Sequence, residues 1–142
     1  MLHQAGLQVE TRTRGFHRLD TEVQGIVVES GVQHGLVNVF VHHTSCSLFI
    51  NENADPDVRV DLESWFSRLV QDGDPLFRHT AEGDDDMSAH IRSVLTATSM
   101  SIPVQNGRLG LGTWQGLYLW EHRTHPHSRR VTVTVMGADP GA

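Results

Sequence analysis

A chain of 142 residues, 38% hydrophobic and 20% charged, is long enough to bury a real core as one domain without disulfide or metal staples. Its formal net charge of -6 argues against a duplex nucleic-acid binder, whose affinity comes from neutralising phosphates. All 11 basic residues are arginine, which removes Schiff-base lysine chemistry and the P-loop lysine. Cys46 is the single cysteine, so no intramolecular disulfide or thiolate zinc cluster can form. The opening MLHQAGLQVETRTR lacks a basic start followed by an apolar core, and no apolar run approaches a membrane span. A cytoplasmic protein with no membrane partner is expected.

Residues 5–13 read as an edge strand with Leu7 and Val9 on one face. Asp20 or Thr21 stands where it can cap a short helix running to Ser30 and closed by Gly31. Over 36–43 the pattern is strand, with Val37, Val39, Val41 and His43 sharing one face by period two. Cys46, Leu48 and Ile50 alternate in the next strand, opposite Ser47, Phe49 and Asn51. Asp55-Pro56 reads as N-cap and first helical position. Val58, Leu62, Trp65, Phe66 and Leu69 follow at helical spacing, a stripe for the sheet in which Trp65 and Phe66 are expected to be core.

Gly73 and Pro75 end that helix, and a polar loop over 77–85 leads to a second one from about 86 to 98. Ile91, Val94 and Leu95 are its expected core face. Strands over 101–104 and 108–112 flank Gln105-Asn106-Gly107, a hairpin turn in which Asn-Gly tolerates positive φ. Strands over 117–122 and 131–136 are expected to pair through the His- and Arg-rich loop 123–130. The predicted fold is α+β: a single-domain α/β sandwich over 1–142 with a largely antiparallel sheet and helices packed on it.

Ten histidines without a cysteine cluster suit a metal bound through nitrogen and oxygen, such as zinc. His43 follows the valine face inward, whereas His42 points the other way; a lone strand-end histidine is more often a satisfied core residue than a ligand. Asp86 and His90 are i, i+4 and can meet on one helix face. A carboxylate accepting one ring N–H would fix the tautomer and free the other nitrogen for a metal or a proton. An aspartate favoured by the helix dipole explains Asp86 equally well. His79, in the polar loop, by itself reads as surface.

Glu121 shares the Leu117 and Leu119 face, so alternation buries it, and a buried glutamate needs a partner, a metal or a proton. Glu52 is the other carboxylate of interest. Gly110, Gly112 and Thr113-Trp114-Gln115-Gly116 make a loop whose backbone N–H groups could approach a ligand, although a β-bulge accounts for it equally. The helix start at Pro56 with Arg59 a turn along would suit an anion; pairing of Arg59 with Glu63 is the more ordinary fate. Arg129-Arg130 beside His125 and His127 is a phosphate patch or a solvated loop. Cys46, among apolar neighbours, is expected to be buried and inert.

Taken together, HTSCSLFINENADPDVR, RHTAEGDDDMSAHIRS and GRLGLGTWQGLYLWEHR resemble the YjbQ family of small bacterial and archaeal proteins. Three separated motifs occur in the family's order, and the resemblance covers most of the chain, including Gly15-Phe16-His17 and the terminal strand. It implies a compact α/β fold, a homotrimer, a histidine-rich cleft near a subunit boundary and secondary thiamine-phosphate synthase activity. That reaction joins an aminopyrimidine methyl diphosphate to a thiazole phosphate and releases pyrophosphate. By the family's motifs, His43, His79 and His90 are the metal-binding set. Glu52, Asp86 and Glu121 are the matching acidic, catalytic positions, with Asn51, Arg59, Thr113 and Gln115 in support at the substrate. His42 and Cys46 fall where relatives carry other residues and inherit no role.

Departure of pyrophosphate needs charge neutralisation by a divalent metal (zinc or magnesium), by arginines or by helix N-termini. Two alternatives keep the site and change the chemistry. One is a metal-dependent hydrolase of a small phosphorylated or cyclic metabolite. The other is a non-enzymatic trimer that binds a metal or metabolite.

Overall fold

The computed structural model describes residues 1–138. In chain order the elements are β1 (Leu2–Thr11), β2 (Gly15–Arg18), α1 (Asp20–Ser30), β3 (His34–Val41), β4 (Cys46–Glu52), α2 (Pro56–Leu69), α3 (Asp86–Leu95), β5 (Ser99–Gln105), β6 (Arg108–Leu109), β7 (Gln115–Glu121) and β8 (His127–Gly137). They build two antiparallel sheets, one of five strands in the order β1-β8-β3-β5-β6 and one of three in the order β2-β7-β4. The expected α+β class and the edge position of β1 are both found.

The alternation of valines explains the larger sheet. Val37, Val39 and Val41 of β3 lie opposite Val135, Val133 and Val131 of β8, and all six are buried. Branched side chains suit the pleated surface and lose little rotamer freedom there. This layer joins Val23, Ile26 and Val27 of α1 and Leu48, Leu117 and Leu119 of the smaller sheet in one apolar cluster. Chain approach is closest at Gly35, where a Cβ would fall 2.1 Å from the Met136 carbonyl oxygen, so only glycine fits. The Asn106-Gly107 turn has φ of 53° and 73°, which matches the expected hairpin between β5 and β6.

Several local expectations are corrected. β7 and β8 do not pair: β7 sits between β2 and β4, and β8 between β1 and β3. The segment between them crosses from one sheet to the other and carries Arg123, which pairs with Asp85 and Asp86 at the start of α3. At α1 the N-cap is Leu19, because the Asp20 carboxylate is committed elsewhere, accepting the Leu117 N–H at 2.6 Å and pairing with Arg18. The Asp55 cap and Pro56 of α2 form as expected, but no residue of α2 is fully buried. Trp65 is 53% exposed, and Phe66 anchors the helix by meeting Trp120 with ring centroids 4.9 Å apart.

α3 ends at Leu95 and buries Asp86, Ser88, Ala89 and Arg92, while Val94 is 83% exposed and Leu95 54%. The reason is Arg92, which donates to Glu63 at 2.7 Å and Ser67 at 3.0 Å and turns the polar face of α3 toward α2. Ile91, Val94 and Leu95 therefore do not form its core face.

Candidate metal centre

The loop before α3 is folded by its own turns, with Phe77 N–H donating to Asp74, Gly83 N–H to Thr80 and Gly73 N–H to Asp84. This returns His79 to the first turn of α3. His79 Nε2 lies 2.6 Å from Asp86 Oδ2, and His90 Nε2 lies 3.2 Å from the same oxygen. The two rings are 5.3 Å apart at 62°. One potential ligand atom from each of the three residues falls within 4.8 Å of the others. Two imidazoles and a carboxylate make a donor set suited to zinc and less suited to magnesium.

The tautomer of His90 sharpens this. Its Nδ1 lies 3.1 Å from the Thr44 carbonyl, which can only accept, so Nδ1 carries the proton. Nε2 of the neutral ring then turns a lone pair toward the Asp86 carboxylate. Two acceptors face each other there, and only a cation reconciles them: a second ring proton or a metal ion. Asp86 stays ionised for the purpose. Its burial would raise its pKa, but the hydrogen bond from His79 and the charge of Arg123 outweigh that and hold it below the usual carboxylate range.

Arg123 organises the back of the centre. Its Nη1 donates to Asp86 Oδ1 at 2.9 Å, its Nε to Asp85 Oδ2 at 2.9 Å and its Nη2 to the Glu82 carbonyl at 2.9 Å. Asp85 is likewise held below its usual range, because the bonds from Arg123 and Thr124 overcome its desolvation. The Arg123 backbone N–H donates to Glu121 Oε2 at 3.1 Å. Glu121 is fully buried, as strand alternation requires. Its partner is Arg129, whose Nε is 2.8 Å from Oε1 and whose Nη2 bonds Oε2, and Thr11 Oγ1 adds a bond at 2.6 Å. These bonds keep Glu121 ionised against its burial. Arg129 Nη2 also donates to the Ser45 carbonyl and hydroxyl.

His43 lies outside the three-residue group. Its Nε2 accepts the Arg130 backbone N–H at 2.7 Å. It directly precedes Thr44, whose carbonyl lies 3.1 Å from His90 Nδ1.

The remaining expected site residues gather at the far end of β4. Cys46, opposite Glu121, and Glu52 are six residue steps apart, about 20 Å along a strand. The Glu52 carbonyl accepts from Arg59 Nη1 at 3.2 Å and Tyr118 OH at 3.1 Å, while its Oε2 accepts the Ala54 N–H at 2.9 Å. Asn51 Oδ1 accepts the Glu52 N–H, and Gln115 Oε1 accepts the Gly112 N–H at 2.7 Å. Asn53 Nδ2 donates to the carbonyls of Thr113 and Gln115. Arg59 does not pair with Glu63; its guanidinium lies 5.1 Å from the Tyr118 ring centroid. A groove of about 450 Å³ runs beside it, lined by Phe16, Pro56, Arg59, Val60, Glu63 and Ser64.

Sequence reasoning missed Arg123, Asp85, Thr11 and Ser45, and left Arg129 between a patch and a loop. For Arg129 a signal existed: it continues the Val131, Val133 and Val135 face inward, and it is buried. Cys46 is buried, and its desolvated thiol is pushed up to about 12.

His122 is buried beside this network, its Nε2 2.8 Å from Ser47 Oγ and its Nδ1 without a partner among the described residues. Burial, reinforced by the charges of Arg92, Arg14 and Arg129, pushes its pKa down to about 2. The folded ring therefore stays neutral while the unfolded one protonates near 6.5, so the unfolded state binds more protons between those values. Stability falls as pH drops through that window, by about 2 kcal/mol at pH 5 from this residue. Denaturant unfolding at pH 7 and pH 5 is expected to show a smaller acid loss in His122→Asn than in the unsubstituted protein.

A two-sheet α+β fold carrying a His–Asp–His group at the start of a helix defines a class to which known proteins can be compared. The family model described as "UPF0047 protein YjbQ-like" matches residues 5–138. UPF0047 protein sll1880 of Synechocystis sp. is 55% identical, over 95% of this chain and 92% of its own length. UPF0047 protein YjbQ of Escherichia coli O157:H7 is 43% identical, over 96% and 99%. Among solved structures, an uncharacterized conserved YjbQ/UPF0047-family protein from Clostridium acetobutylicum superposes with a TM-score of 0.82 at 35% identity, covering 92% of this chain and 99% of that one. The chain belongs to the YjbQ/UPF0047 family. Among the described residues no helix is long and apolar enough to cross a membrane.

Proposed function

We propose that the protein is a metal-assisted, cytoplasmic transferase that forms thiamine phosphate from an aminopyrimidine methyl diphosphate and a thiazole phosphate, working as a homotrimer. The observation that carries the metal-dependent part is the facing pair of acceptors at His90 and Asp86, which calls for a cation between them. His79, Asp86 and His90 would hold a divalent metal, zinc being the better match to this donor set. When bound, that metal would supply charge neutralisation for the departing diphosphate.

The chain's own groups complete the reading. In the reaction the thiazole nitrogen bonds the pyrimidine methylene as the methylene–oxygen bond breaks, and the electron pair leaves on pyrophosphate. Arg123 holds Asp86 in position from behind, through bonds that involve no substrate. Glu121, paired with Arg129, fixes the strand end from which Arg123 extends. Asn51, Glu52, Arg59, Thr113 and Gln115 sit about a strand's length away. In a homotrimer they would serve a metal centre across a subunit boundary.

The test is direct. Zinc-loaded protein supplied with both substrates is expected to form thiamine phosphate over many turnovers, read by chromatography, and His90→Ala is expected to lower the rate at least about 100-fold. Absence of product with zinc, magnesium and manganese alike would overturn the reading. Phosphate release from a single substrate would instead favour the hydrolase, and stable capture without turnover the binding protein.

A further inference from the structure

We propose that His43 is a neutral hydrogen-bond donor to an anionic phosphoryl oxygen at the rim of the metal centre, and not one of the metal's ligands. The inference deepens the reading of a phosphorylated substrate and rests on it for the ligand class. It begins from one bond. His43 Nε2 lies 2.7 Å from the Arg130 backbone nitrogen, and a peptide N–H can only donate. The Nε2 lone pair is therefore occupied, and a neutral imidazole has one acceptor nitrogen and one donor nitrogen. Nδ1 must carry the proton, which leaves the ring no lone pair for a metal.

The same bond excludes a doubly protonated ring, since Nε2 cannot both accept and bear a hydrogen. Burial, together with the Arg129 charge, pushes His43 below its ordinary pKa in agreement, against the opposing pull of Glu121. His90 differs in the use of its donor. Its Nδ1–H is bonded to Thr44 and its Nε2 faces Asp86, whereas the His43 Nδ1–H has no protein acceptor among the described residues. His43 is thus a fixed donor awaiting a partner, one residue from the carbonyl that orients His90.

The surroundings select an anion. Arg129, paired with Glu121, and Arg130 both act on the ring, with His42 as the other nearby titratable group. Arg130 is exposed, and its guanidinium has no carboxylate partner among the described residues. A neutral imidazole with its tautomer fixed from behind can stabilise negative charge without losing its proton at neutral pH.

The test uses zinc-loaded, ¹⁵N-labelled protein. Long-range ¹⁵N–¹H spectra are expected to show His43 with a protonated Nδ1 and a bare Nε2, identified by coupling across the Arg130 N–H bond and by loss of the signals in His43→Asn. A protonated Nε2 would overturn the proposal. Zinc content should be unchanged in His43→Asn and His43→Gln and lost in His90→Ala; loss of zinc from both folded His43 variants would overturn it too. Inorganic pyrophosphate is expected to bind His43→Phe about tenfold or more weakly than the unsubstituted protein, and equal affinity would refute the donor role. None of these readouts needs turnover. Failure to form thiamine phosphate would overturn the proposed reaction and leave the His43 assignment to be judged separately.

Discussion

Asp86→Asn protein is expected to lose zinc affinity by more than about 100-fold while remaining folded. Asp86 is the group both imidazoles face, since its Oδ2 meets His79 and His90. The amide keeps the shape and can still accept from Arg123 Nη1, so the back of the centre has a partner. What disappears is the negative charge that would make two imidazoles and a carboxylate a site for a divalent ion. Outer partners of metal ligands alone are worth 10- to 100-fold in affinity, and a charged ligand should exceed that. Calorimetric titration with zinc checks it, with circular dichroism as the control for folding. Affinity like that of the unsubstituted protein would remove Asp86 from the metal set.

Arg129→Met is expected to cost the larger share of stability, about 3–5 kcal/mol. The substitution leaves Glu121 buried with Thr11 and the Arg123 N–H as its remaining partners and strips the Ser45 carbonyl of a donor. A buried carboxylate without its counter-ion takes up a proton more readily, so the Glu121 pKa should rise and the variant should be relatively less destabilised at acid pH. The double variant Arg129→Met, Glu121→Leu should regain much of the loss, because an apolar pair of similar volume often replaces a buried ion pair without cost. Denaturant unfolding of the single and double variants distinguishes this from a role confined to the site. A single variant within 1 kcal/mol of the unsubstituted protein would contradict the account.

The parts of the fold that could be read from sequence are those set by local chemistry. Period-two valines placed β3 and β8, Asp55-Pro56 started α2, and Asn106-Gly107 made the hairpin. Partner choice between strands was not legible. β7 and β8 are joined by a short loop, which ordinarily makes a hairpin, yet the valine ladder of β8 pairs with β1 and β3. Nor does helical spacing reveal that Arg92 goes inward, since its side-chain hydrogen bonds go to Glu63 and Ser67, far away in sequence.

The site divides in the same way. Asp86 and His90 were legible because one helical turn brings them together. His79 was not legible from spacing, because an irregular loop returns it to Asp86. Contiguity in sequence is not proximity within one subunit for the stretch from His43 to Arg59. It runs along the whole of β4, so Thr44 touches the His–Asp–His group while Glu52 and Arg59 belong to the opposite end.

The central claim, that His79, Asp86 and His90 hold a divalent metal, is tested most directly by anomalous scattering at the zinc edge from crystals of zinc-loaded protein. The account predicts one peak bonded to a nitrogen of His79, a nitrogen of His90 and an oxygen of Asp86, at about 2.0–2.2 Å from each, with Nδ1 of His90 still on Thr44 and His43 not bonded to the metal. No peak at saturating zinc, or a peak held by other residues while Asp86 keeps both histidine bonds, would contradict it.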